Sequence, residues 1–166
     1  MTEPTTRIRT SVNGVTIDTE VADRTILLDF IRYQIQLTGT KVGCDTAICG
    51  ACSVLLDGVA VKSCTLLAAQ VDGRSITTVE GLASGDELTP LQSSFSKHHA
   101  LQCGYCTPGF VIAATSLIAQ YRTAGCAPTE EQVRADLSGN ICRCTGYQGL
   151  VEAILEVMQG KDDRSP

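Results

Sequence analysis

The sequence predicts an α+β protein: a small mixed β-sheet with one helix packed on it, followed by a bundle of four helices. Three observations carry this. Apolar and polar residues alternate in the first half, around two hairpin dipeptides, Asn13-Gly14 and Asp57-Gly58. Apolar residues recur at three- and four-residue spacing in the second half. Between them Gly81, Ser84 and Gly85 mark a linker within residues 79–86, so the expected domains are 1–82 and 83–166.

The elements follow in order. Residues 7–12 alternate, with Ile8 and Val12 on one face, and residues 15–21 alternate again, with Val15, Ile17 and Val21 in phase. Thr25 is placed to cap a helix running to Leu37, whose Leu27, Phe30, Ile31 and Ile35 fall on one side. Residues 53–56 and 59–61 flank Asp57-Gly58 as a second hairpin, and residues 76–79 form a last strand. Thr89-Pro90 starts a helix that reaches His99, with Pro in the first turn. Thr107-Pro108 starts another, striped by Phe110, Ala114, Leu117, Ile118 and Tyr121. Thr129 with Gln132 forms a capping box for a short helix ending near residues 137–139. The last helix spans 146–158, with Leu150, Val151, Ile154, Leu155 and Met158 on one face and Glu152 and Glu156 opposite. Such helices, each with one apolar face, pack as a bundle.

Composition removes several function classes. Hydrophobic residues make up 43% of the 166, enough for a core, so disorder is not the main description. The net charge is −5, with nine acids and seven bases up to residue 83 and nine and six beyond it. There is no basic face or tail, which argues against nucleic acid or an anionic membrane as partner. No apolar run approaches the roughly 18 residues of a membrane span. Met1-Thr2-Glu3-Pro4-Thr5-Thr6 lacks the basic and apolar regions of a secretory signal. The expected compartment is the cytoplasm, where thiols stay reduced and cysteines tend to bind metal or do redox chemistry.

There are nine cysteines, an odd number that rules out a fully disulfide-paired monomer. Cys44, Cys49, Cys52 and Cys64 read C-x4-C-x2-C-x11-C, and the opening four-then-two spacing is the plant-type [2Fe–2S] pattern. A tight loop there turns backbone N–H groups toward the sulfurs, and the second hairpin returns Cys64 to the loop as fourth ligand. Cys103, Cys106, Cys142 and Cys144 read C-x2-C-x35-C-x-C, each pair just before a helix start. Helix N-termini offer free N–H groups and partial positive charge, which favour an anionic cluster. Cys126 is left over as a loop bystander. His98-His99 read as an exposed helix end, and Tyr105 and Tyr147 as packing that shields the second set. On spacing alone the alternatives are a four-cysteine structural zinc site, disulfides, a zinc-stabilised interaction module, and a stand-alone ferredoxin-like electron carrier.

The stretches Gly43-Cys44-Asp45-Thr46-Ala47-Ile48-Cys49-Gly50-Ala51-Cys52, Gln102-Cys103-Gly104-Tyr105-Cys106-Thr107-Pro108-Gly109 and Gly139-Asn140-Ile141-Cys142-Arg143-Cys144-Thr145-Gly146-Tyr147 narrow the choice. Together they resemble the iron–sulfur subunit of molybdenum hydroxylases, the xanthine oxidase family. The stand-alone form is similar to the small subunits of aerobic carbon monoxide dehydrogenase and of bacterial N-heterocycle hydroxylases. The likeness covers residues 7–158.

The resemblance implies a plant-ferredoxin-like β-grasp domain and a four-helix domain, each with one [2Fe–2S] cluster. It implies a molybdopterin-binding large subunit, with the pterin as the cytosine dinucleotide, and a FAD-binding medium subunit, in a dimer of heterotrimers. The implied electron route runs from molybdenum through the helical-domain cluster and the ferredoxin-like cluster to flavin. By the same likeness Gln102 and Cys144 would approach the pterin. Catalysis belongs to the large subunit, and no residue of this chain is a catalytic nucleophile or acid–base. One departure is visible: family loops often carry Gly, Ser or His where this chain has Ala47 and Ile48.

Overall fold

Residues 3–85 and 87–160 are described in a computed structural model of the chain. Met1, Thr2, Asp86 and residues 161–166 lie outside them, and with them the first two residues of the stretch read for a secretory signal and one end of the expected linker.

The first hairpin forms where the dipeptide signal puts it. β1 (Thr5–Val12) and β2 (Val15–Ala22) pair antiparallel from Thr5↔Ala22 to Val12↔Val15. Asn13 (φ 50°) and Gly14 (φ 81°) both take the left-handed conformation that a two-residue turn needs to match strand twist. β3 (Ser53–Leu56) and β4 (Val59–Lys62) make the second hairpin. β5 (Ser75–Thr77) inserts between them, parallel to β1 and antiparallel to β3. The sheet order is β2-β1-β5-β3-β4, a mixed sheet with β2 and β4 at its edges.

Four details differ from the sequence expectation. The first helix is shorter: α1 (Leu27–Asp29) passes directly into a π turn, Phe30–Gln34. Thr25 is not its cap, because Thr25 and Ile26 are held extended against residues 66–68. Leu27 N–H donates to the Leu66 carbonyl and Ala68 N–H to that of Thr25, each at 2.8 Å. Gln36, at φ 66°, then ends the helical segment. The last strand stops at Thr77 because the Asn13 side chain captures Thr78, accepting its N–H at 2.8 Å and donating to its hydroxyl at 3.0 Å. Val15 is in phase with the core but 61% exposed at the turn end of an edge strand. The final helix begins at Gln148, after Tyr147 in the left-handed region.

Leu27, Phe30 and Ile31 are buried with Ile8, Val12, Val21, Val54, Leu56, Val71 and Ile76 in one hydrophobic cluster. Each such side chain contributes about 1.5–3 kcal/mol on full burial. A second cluster joins α2 (Pro90–Lys97), α3 (Thr107–Ala124), α4 (Glu130–Asp136) and α5 (Gln148–Met158) through Phe95, Phe110, Ile118, Val133, Leu150 and Ile154. Thr89 and Thr129 cap α2 and α4, each in a box with the glutamine three residues on. Gly125, at φ 67°, closes α3.

The acidic face of α5 is not a free solvent face. The Glu156 side chain is only 13% exposed. It accepts from Lys97 Nζ at 2.5 Å and Ser94 Oγ at 3.0 Å, and it pairs with His98 Nε2. Thus His98 is a clamp between α2 and α5 rather than a bare helix end. These partners hold the Glu156 carboxyl at about 2, Lys97 foremost, against an ordinary 4.5. A depressed folded-state pKa contributes stability that is present above about 4.5 and lost as pH falls toward about 2. The difference in urea midpoint between the wild type and Glu156→Gln is therefore expected to shrink over that window. A difference that stays constant down to pH 2 contradicts the clamp.

Candidate metal centres

The first set of thiols is assembled by one loop and one hairpin. Arg32 Nη1 donates to the carbonyls of Thr38 (3.0 Å) and Thr40 (2.6 Å), fixing the approach to the loop. The loop then reverses at Ala47 (φ 58°) and Gly50 (φ 70°). For alanine the left-handed conformation costs about 1–2 kcal/mol, which gives a physical reason why glycine suits position 47. The turn aims the amides of Cys49, Thr46 and Ile48 at Cys44 Sγ, with Cys49 N at 3.5 Å. They hold the Cys44 thiol down at about 6. After β4 a single 3-10 turn, Ser63–Thr65, carries Cys64 back. Ser63 ties it there, its hydroxyl donating to the Cys52 carbonyl at 2.8 Å. Cys64 then lies against Cys52, and burial together with that neighbour pushes its thiol up to about 12.

The second set is gathered from two loops. Cys103 and Cys106 lead into α3, with Cys106 as its N-cap residue. Cys142 and Cys144 lead into α5. The Sγ atoms of Cys144 and Cys103 are 3.6 Å apart. Cys106 is pushed up to about 12 by burial and by Cys142 beside it. Burial also raises Cys142, but the Thr145 hydroxyl at 3.2 Å and the amides of Thr145 and Cys144 at 3.4 Å bring it below its ordinary value. The donors therefore come from the loop before α5 rather than from the first turn of the helix. Tyr147 orders that loop: its hydroxyl accepts the Cys142 N–H at 2.9 Å, and its ring stands edge-on to Phe110.

Each set is organised as two pairs: Cys44 with Cys49 and Cys52 with Cys64, then Cys103 with Cys144 and Cys106 with Cys142. Among the described residues no three Cys, His, Asp or Glu side chains are grouped as a single bound ion requires. Burial and a neighbouring thiol push Cys64 and Cys106 up, so these two ionise only beside strong positive charge. A [2Fe–2S] cluster would supply that charge, and the paired thiols of each set would hold it, so the donors fit one such cluster in each set.

The two sets are joined at the backbone. Ile141 N–H donates to the Cys49 carbonyl at 2.9 Å, and the buried Asn140 Nδ2 donates to the Gly50 carbonyl at 2.9 Å. Tyr105 Oη donates to the Val42 carbonyl at 2.8 Å. Gly109, in the first turn of α3, lies so close that a Cβ there would overlap the Gly50 carbonyl oxygen. Cysteine spacing predicted none of these links. Asn140, Gly109, Arg32 and Thr145 carry no motif of their own, although Asn140, Gly109 and Thr145 fall inside the quoted stretches.

Gln102, Cys103 and Cys144 are all exposed, with Tyr105 50% and Ile141 47% exposed near them. Cys126 is exposed on the loop after α3 and belongs to neither set. Cys126→Ser is therefore expected to leave the iron content and the unfolding midpoint unchanged. Loss of iron in that variant would mean the ligand sets are wrongly drawn.

Fold and thiols together define a protein with two iron–sulfur centres. A family model described as a 2Fe-2S iron-sulfur cluster binding domain matches residues 10–83, and one described as a [2Fe-2S] binding domain matches residues 78–155. The chain is 53% identical to the nicotine 6-hydroxylase small subunit of Paenarthrobacter nicotinovorans, over 90% of this chain and 87% of the relative. It is 41% identical to the xanthine dehydrogenase iron-sulfur-binding subunit of Escherichia coli O157:H7, over 95% and 97%. Among solved structures, a chain of quinoline 2-oxidoreductase from Pseudomonas putida 86 superposes with a TM-score of 0.87 at 44% identity, covering 95% of this chain and 94% of that one. The chain belongs to the iron–sulfur small subunits of the xanthine-oxidase family of molybdenum hydroxylases. It is the iron–sulfur subunit of an oxidoreductase complex.

Proposed function

We propose that the chain relays electrons from a molybdopterin-bearing large subunit to a FAD-bearing medium subunit in a complex that hydroxylates an N-heteroaromatic substrate. The observation that carries the relay is the 2.9 Å hydrogen bond from Ile141 N–H to the Cys49 carbonyl. Ile141 is bonded to Cys142, so one hydrogen bond within a chain of covalent bonds connects a residue of one thiol set to a residue of the other. Electronic coupling decays more slowly along bonds than across gaps. The names of the relatives, nicotine 6-hydroxylase and quinoline 2-oxidoreductase, support the substrate class.

In this reading Cys44, Cys49, Cys52 and Cys64 hold one [2Fe–2S] cluster, and Cys103, Cys106, Cys142 and Cys144 hold the other. Each cluster, when bound, takes up and releases one electron. The chain's own residues hold the thiolates in pairs, direct amides at Cys44 and Cys142, and keep the two loops in register through Asn140 and Gly109. The sheet unit, residues 1–82, is a ferredoxin-like β-grasp domain, and residues 83–166 form a four-helix domain. Their separate hydrophobic clusters support this division. The exposed Gln102 and Cys144 face the pterin, a cytosine dinucleotide, on the large subunit. The assembly is a cytoplasmic dimer of heterotrimers. No helix among the described residues is long and apolar enough to cross a membrane.

Affinity purification of the tagged chain from its native host tests the assembly. The expected result is a red-brown complex containing molybdenum and flavin. A solitary stable red-brown chain would favour the free carrier, and a colourless one the zinc module.

A further inference from the structure

Lys62 closes β4, two residues before Cys64. Its side chain folds over the first loop instead of extending into solvent. Nζ donates to the carbonyl of Ala47 at 3.1 Å and to that of Ile48 at 2.9 Å. These two carbonyls form the tip of the loop, where Ala47 sits in the left-handed region. A residue in such a conformation persists only where its surroundings hold it. The same reversal turns the amides of Thr46, Ile48 and Cys49 onto Cys44 Sγ. Lys62 is thus fastened to the outside of the turn whose inside faces the thiols.

We propose that Lys62 is a positioning residue for the first redox centre: its ammonium clamps the loop tip so that the amides stay on Cys44, and it sets one positive charge beside the four-thiol site. The inference rests on the reading that Cys44, Cys49, Cys52 and Cys64 hold a [2Fe–2S] cluster. An added electron makes such a site more negative, so a nearby cation and well-aimed N–H groups favour the reduced form and raise the midpoint potential. The competing role for a lysine on an edge strand is to block strand pairing between molecules, and that role leaves the centre untouched.

The test uses the full chain reconstituted with iron and sulfide. The two centres are followed by EPR-monitored redox titration and assigned through Cys49→Ser and Cys142→Ser. Deuterium exchange of a peptide spanning residues 44–52 is read in parallel. Lys62→Met is expected to shift the midpoint of the first centre to more negative potential, leave the second in place, and speed exchange of the loop peptide several-fold. Lys62→Arg, which keeps charge and donors, is expected to restore most of both effects. If Lys62→Met fails to fold, Lys62→Gln carries the test, since it removes the charge and is expected to lower the same midpoint. Wild-type midpoint and wild-type exchange in these variants would overturn the proposal. Failure of the wild-type chain itself to load the first site would instead overturn the ligand assignment, and the inference with it.

Discussion

Cys142→Ser is expected to abolish one of two iron–sulfur centres and spare the other, and Cys49→Ser to do the converse. Iron should fall from about four to about two per chain in each variant. The reasoning is local. A serine oxygen is a harder and far less acidic donor than a thiolate. At 142 the hydroxyl and amides that hold the sulfur, Thr145 and Cys144, then face a protonated alcohol. The other set has its own loop, its own amide donors and its own pairing. Iron and acid-labile sulfide assays with low-temperature EPR read the outcome directly. Loss of both signals in both variants would mean that the eight thiols act as one unit.

Gly109→Ala is expected to damage both centres without touching a thiol. A Cβ at 109 would overlap the Gly50 carbonyl oxygen and press on the Ala51 backbone. Neither is the end of a flexible side chain, so α3 and the first loop must move apart. Overpacking of this kind costs about 1–3 kcal/mol. It also strains the Asn140–Gly50 and Ile141–Cys49 hydrogen bonds, each worth about 0.5–1.5 kcal/mol. The expected results are a lower urea midpoint and slower intramolecular electron equilibration between the centres. Wild-type stability in Gly109→Ala would show that the contact between loop and helix yields easily.

Most of the site was readable from sequence because its chemistry is carried by spacing. Four-then-two cysteines, and pairs placed before helix starts, specify thiol sets without any knowledge of packing. Asn13-Gly14, Asp57-Gly58 and the Thr129–Gln132 box are likewise local signals, and each is found where it was expected. What was not legible depends on partners far along the chain. The helix expected from Thr25 begins at Leu27 because residues 66–68 hold Thr25 and Ile26 extended. Glu156 was assigned to the polar face of its helix, yet that face meets Ser94, Lys97 and His98 of the α2 region. Lys62 and Asn140 reach residues 14 and 90 positions away, and no periodicity encodes those contacts.

The most direct measurement is low-temperature EPR of the dithionite-reduced, iron-reconstituted chain, with iron counted on the same sample. Two distinct paramagnetic centres and about four irons per chain are predicted. A single centre, or clearly fewer irons in fully folded protein, would contradict the two-centre relay.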